Sequence, residues 1–137
     1  MISSSFADRI PITLFGAKGS VTYLALVDTG SDNTIFPKSV ADYLGIRVDQ
    51  DQGPTARSFT GHQVQLLSGD AHLQIETEDA RLDWPTPICF FDYDEPEEEA
   101  VVLGHAGFLE YFTATFDGKA YVLALVPNDD LPNADAS

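Results

Sequence analysis

Leu24-Ala25-Leu26-Val27-Asp28-Thr29-Gly30-Ser31 is the stretch on which the reading of this chain turns. It sets an ionisable side chain at the end of a run that is apolar on both faces. A carboxylate in that position is costly unless it is hydrogen bonded or protonated, so Asp28 needs a reason. Thr29 offers a hydroxyl that can bond across to a partner, and Gly30 an amide that can approach a carboxylate closely. Upstream, Arg9 to Phe15 alternates apolar and polar residues, and Gly16-Ala17-Lys18-Gly19 offers a turn. Val21 to Val27 then completes a hairpin that delivers Asp28.

Downstream, Pro37 opens a helical signal, with Val40, Tyr43 and Leu44 at helical spacing and Gly45 as a C-terminal cap. Residues 55–78 return to strand character around two turn signals, Gly61-His62 and Ser68-Gly69-Asp70. A strand at Pro87 to Phe91 enters the acidic stretch 92–100, which reads as a solvated loop. Val101-Val102-Leu103-Gly104 follows as a buried-looking apolar run. His105 to Phe112 reads as a second short helix, followed by strands at 113–116 and 121–126 and a frayed tail at 127–137. Many short strands with two short helices predict a mostly β, closed, barrel-like fold in one domain spanning 1–137, with its core at about 9–126.

The 137 residues carry 22 Asp or Glu against 7 Lys or Arg, a formal net charge of -15. Such a surface repels nucleic acid phosphates and anionic membranes, so neither is expected as a partner. Cys89 is the single cysteine, which rules out an internal disulfide; it lies in an apolar run and reads as a buried thiol. The N-terminus shows neither a basic region nor an apolar stretch, and no apolar run approaches the ~20 residues needed to span a bilayer. The expectation is a soluble, cytoplasmic protein.

Asp28-Thr29-Gly30-Ser31 after an apolar strand resembles the active-site loop of aspartic peptidases. Val102-Leu103-Gly104 resembles the second hydrophobic-hydrophobic-Gly element, which threads that loop in the family's ψ-shaped motif. GFLEYFTATFDG (107–118) is similar to the segment after that element in retropepsin-like proteins, and the resemblance extends over residues 9 to 126. Pepsin-like enzymes carry two such loops, whereas this chain has one. The resemblance therefore implies a retropepsin-like barrel acting as a homodimer, with Asp28 and its symmetry mate at a two-fold axis. It implies an aspartic endopeptidase of the acid-protease kind, taking a peptide or protein substrate and using no cofactor and no metal.

The same resemblance implies roles for further residues. Thr29 would hold the two loops together, and Gly30 would let the substrate backbone approach. A Ser31 hydroxyl bonded to Asp28 would favour its ionised form and move activity towards acid. The substrate-binding flap best matches Phe59 to Val64, including Thr60, Gly61 and His62. His105 stands where retroviral enzymes have an Arg that pairs with an acid near the active-site loop; here that acid would be Asp32, giving a His105–Asp32 pair with Ser31 in the supporting loop.

Other readings of these residues are weaker. DTGSDNT is also turn-forming, but a polar turn leaves the Val102-Leu103-Gly104 segment unexplained. Asp28, Asp32 and Asn33 lack the alternating spacing of a calcium loop. His62, His72 and His105 are scattered without a zinc motif, and Ser31 has no nucleophile motif around it. The rival function is a catalytically silent module on the same fold that dimerises or binds peptides.

Overall fold

A computed structural model describes residues 2–4, 9–49, 55–57, 63–77 and 80–132. Strand β1 (Ile2–Ser4) comes first. Strands β2 (Arg9–Gly16) and β3 (Gly19–Val27) then form the hairpin that the alternation predicts, in register from Arg9↔Leu26 to Gly16↔Gly19. After the Asp28 loop come β4 (Ile35–Pro37) and helix α1 (Lys38–Leu44). Gly45 caps the helix in the left-handed region at φ 73°, which is why a glycine stands there. Strands β5 (Thr55–Arg57) and β6 (Gln63–Gln65) pair antiparallel, followed by the long strands β7 (Leu67–Glu76) and β8 (Arg81–Phe91). Strands β9 (Val102–Leu103), β10 (Phe112–Asp117) and β11 (Val122–Pro127) complete the chain.

The fold is mostly β, with a closed barrel in the order β2-β3-β9-β4-β8-β7. A three-stranded sheet, β1-β11-β10, lies outside it, so β1 pairs with the C-terminal strand of its own chain. Ile10, Ile12 and Leu14 of β2, Phe36, Leu44, Leu73, Trp84, Phe90 and Leu103 fill the core. Trp84 is fully buried and its indole N–H donates to the Gly107 carbonyl at 3.1 Å, so its polar atom is satisfied. A Trp-to-Ala truncation in such a setting costs about 3–5 kcal/mol.

Three local expectations change. The turn expected at Ser68-Gly69-Asp70 is instead unbroken strand near the start of β7. Gly69 is there because a Cβ would meet the Arg47 carbonyl oxygen at 2.7 Å; the glycine serves a close approach and not a bend. β8 starts at Arg81 and runs through Pro85 and Pro87. Cys89, in phase with both, donates its N–H to Thr34 on the side away from β7. The two prolines thus leave no gap in the β7 ladder. The second helix is absent: residues 105–112 form an open turn ending in one 3₁₀ turn at Leu109–Tyr111. Gly107, at φ 90°, breaks the helical path, and the Leu109 and Glu110 amides reach back to the Gly104 and His105 carbonyls, each at 2.9 Å. Lys38–Leu44 is therefore the one α-helix among the described residues.

The acidic connection between β8 and β9 is mostly exposed and makes one 3₁₀ turn, Pro96–Glu98. It is anchored where Ser39 at the start of α1 donates to the Glu99 carboxylate, and where the Tyr93 hydroxyl donates to the Ala100 carbonyl. Of the 127–137 tail, Asn128 is fastened by its amide N–H to the Tyr111 carbonyl and by its side chain to the Glu110 carbonyl; 133–137 lie outside the described residues.

Cys89 is buried on β8, and burial pushes its thiol from 9.0 up to about 11. The raised value means that the native thiol stays protonated where an unfolded one has ionised. Its contribution to stability is full below about 9 and is lost as pH rises through about 11. A thiol-labelling reagent at about pH 8 should therefore leave the native protein unmodified and label it fully in denaturant; rapid native labelling would refute the burial.

Candidate functional site

The Asp28 loop is built by two chain segments that cross. β9 runs parallel to β3, with Leu26 opposite Val102 and Val27 opposite Leu103. The Leu26 amide donates to the Val101 carbonyl and the Asp28 amide to the Leu103 carbonyl, both at 3.0 Å, which fixes where β3 ends. On its other side β9 meets β4, Ile35 facing Val102. Val102-Leu103-Gly104 is therefore threaded between the strand entering the loop and the strand leaving it.

Beyond the crossing, the main chain laces the loop down. The His105 amide donates to the Ser31 carbonyl at 2.9 Å, the Ala106 amide to Asp32 at 2.9 Å, and the Thr34 amide to Ala106 at 3.1 Å. Gly104 sits at the centre, where a Cβ would overlap the Asn33 carbonyl oxygen and stand 2.6 Å from that of Ser31. Its own N–H donates to the Thr34 hydroxyl at 3.3 Å, with Thr34 only 1% exposed. Glu110 Oε2 accepts the Gly107 amide at 2.6 Å, holding the turn that follows.

Within the loop, the Gly30 amide donates to Asp28 Oδ1 at 2.9 Å, the close approach expected of that glycine. A Cβ at Gly30 would stand 3.2 Å from the same oxygen. The Ser31 amide donates to the Asp28 carbonyl at 3.1 Å, closing a tight turn. Asp28 is half-buried, while Thr29 and Gly30 are exposed at the tip. Leu26 and Leu24, in phase with Asp28 on β3, face outward, and Leu24 is 60% exposed.

Two expected side-chain contacts take another form. The Ser31 hydroxyl donates to the Asn33 carbonyl at 2.8 Å and so is engaged away from Asp28. A hydroxyl has one proton, and the carbonyl two residues on takes it. His105 and Asp32 are both exposed, and their tie to the site runs through backbone amides. The ion pairs among the described residues are Lys38–Asp42 and His72–Asp83. His105 thus supports the loop with its main chain. Of the expected flap, β5 and β6 form the antiparallel pair, while Thr60, Gly61 and His62 lie outside the described residues.

The sequence reading passed over Thr34, Gly107, Glu110 and Trp84. A hydroxyl at the mouth of the apolar Ile35-Phe36 segment was the available signal for Thr34. The other three act through contacts that only register and packing reveal. A groove of about 400 Å³ further along the outer face of β2 and β3, lined by Pro11, Thr13, Phe15, Ser20, Thr22, Gln74 and Glu76, holds one carboxylate and no partner base. No protein-family model matches the chain, and no curated protein does.

Gly104→Ala should collapse the crossing, because the added methyl meets backbone oxygens that cannot swing aside. Gly118→Ala, where a Cβ would meet nothing within 4 Å, is the control. Urea unfolding should show Gly104→Ala destabilised by about 2 kcal/mol or more and Gly118→Ala within about 0.5. Equal midpoints would remove the steric role of Gly104.

Proposed function

We propose that the chain is one half of an aspartic endopeptidase, hydrolysing peptide bonds at a pair of Asp28 carboxylates supplied by two copies. The observation that carries this reading is the half-buried Asp28, aimed from a glycine-bonded turn that a second strand threads. The Gly30 amide bond to Asp28 is one that an ordinary Asx turn also makes, as at Asp117; what sets this loop apart is the strand threaded past it at Gly104. Resemblance to the retropepsin-like family supplies the second carboxylate. In this reading the two copies meet at the exposed Thr29–Gly30 tips.

Two carboxylates within a few ångström cannot both ionise easily, so the pair shares one proton and titrates as a unit. The ionised member takes a proton from the water lying between them as the water oxygen attacks the scissile carbonyl carbon. The protonated member donates to the carbonyl oxygen, giving a tetrahedral diol. Return of a proton to the amide nitrogen lets the C–N bond break, releasing an acid and an amine and restoring the shared proton. No covalent enzyme intermediate forms. The Gly30 N–H keeps the carboxylate in position through these exchanges.

Asp28→Asn keeps the side chain's shape and removes its proton chemistry. It should reduce acid-pH cleavage of an unstructured protein to background while the unfolding curve stays that of a folded chain. Wild-type activity in the purified variant would end the Asp28 dyad; no cleavage by the wild-type dimer would favour the silent module. Since one chain supplies one carboxylate, specific activity should fall on dilution as dimers separate. It should recover with added salt, which screens repulsion between copies of charge -15. Constant specific activity in samples that light scattering reports as monomeric would exclude the dimer.

A further inference from the structure

We infer that the groove on the outer face of β2, β3 and β7 is a second binding site for the peptide cleaved at Asp28. It holds an extended, uncharged polar segment about four to eight residues from the cut bond. This rests on the peptidase reading and adds where the rest of the substrate lies. The carrying observation is that groove and carboxylate share one face of one uninterrupted strand. Side chains on a strand alternate between faces, so along β3 the outward row is Ser20, Thr22, Leu24 and Leu26, and Asp28 continues it. Ser20 and Thr22 line the groove, and Pro11, which also lines it, stands opposite Leu24. At about 3.3 Å per residue, Leu24 lies roughly 13 Å from Asp28 along the strand and Ser20 roughly 26 Å. A peptide strand has the same rise. One that passes along β3 from the carboxylate meets the groove at about its fourth residue and leaves it at about its eighth.

The chemistry changes along that path. Leu26, Leu24 and Pro11 make an apolar ledge next to the carboxylate, with Leu24 60% exposed. Arg9, opposite Leu26, flanks the ledge and not the groove. Beyond the ledge, Thr13 stands between its in-register partners, Thr22 on β3 and Gln74 on β7. The two threonine hydroxyls bond each other at 2.7 Å, which uses one of their two protons and leaves the other to donate outward. Gln74 adds an amide that both donates and accepts, and Ser20 adds a further hydroxyl opposite Phe15. Such a row bonds a peptide backbone without needing charge on the ligand. Glu76 is the one charged side chain that lines the groove, and Arg81 stands opposite it on β8. His72, opposite Phe15, is held by Asp83. These charges offset one another, so a neutral segment fits better than one of either sign. A volume of about 400 Å³ takes a few residues of one extended chain.

The test uses three peptide libraries that share one randomised apolar centre and are about six, eight and eighteen residues long. The longer two are extended equally at both ends with Ser, Asn and Gln. Cleavage by the full chain in mild acid should give about equal kcat/KM for the two shorter libraries and roughly tenfold more for the longest. The gain should come as a lower KM with kcat little changed, because contacts remote from the cut bond add uniform binding. Thr22→Trp fills the groove from an exposed strand position, and Ser20→Trp does so from the next outward one. In either variant, once urea unfolding has shown it folded, the ratio of longest to shortest should fall to about one. A gain already complete in the middle library, or kept in full by both variants, overturns the groove as the site. Equal kcat/KM across all three libraries overturns the second site and leaves the peptidase standing. Failure of the dimeric protein to cleave any of them overturns the peptidase reading and this inference with it.

Discussion

The architecture depends on one steric fact: at Gly104 two chain segments come so close that no Cβ fits between them. Everything around the Asp28 loop is arranged to make that approach possible and then to hold it. β9 is two residues long, yet it has neighbours on both sides, β3 in parallel and β4 antiparallel. A strand so short gains little from its own ladder. Its stability comes from the amides beyond it, those of His105 and Ala106 on the Ser31 and Asp32 carbonyls, and from the buried Thr34 hydroxyl that accepts the Gly104 N–H.

The polar lacing is expensive to leave incomplete, and the surrounding packing keeps it complete. Trp84 closes the far side of the turn by bonding the Gly107 carbonyl and packing against Phe108, Tyr111 and Phe112. Glu110 takes the amide of the same glycine, so both polar groups of Gly107 are satisfied although its backbone is left-handed. The aromatic cluster and the carboxylate together replace the helix that residues 105–112 were expected to form. The His105 and Ala106 amides at the start of this turn donate to the Ser31 and Asp32 carbonyls of the loop, while those of Leu109 and Glu110 bond back within the turn.

Much of this was legible in the residues. Alternation along β2 and β3 placed the hairpin, Pro37 and Gly45 bracketed the helix, and Asp28 at the end of an apolar run singled out the loop. What was not legible has a common physical cause. Gly69 looks like a turn residue and is a contact residue, because a glycine marks either a bend or a close approach and local sequence does not distinguish them. Ser31 and His105 carry side chains suited to Asp28 and Asp32, yet the neighbouring backbone groups satisfy the geometry first. The His72–Asp83 pair joins residues diagonal to each other across β7 and β8, and only the strand register brings them together.

The threading also has a consequence for the order in which the chain is made. Asp28 leaves the ribosome with its hairpin already complete, since β2 and β3 are neighbours in sequence. The strand that aims it, and the glycine that lets that strand through, are synthesised only after β4, α1 and the long β7–β8 pair. Pairings between distant segments form late because their loops must close first. A chain halted before Gly104 carries the carboxylate but nothing that holds it in place. Until that point is passed, the nascent barrel holds the Asp28 loop without the strand and the backbone amides that lace it down.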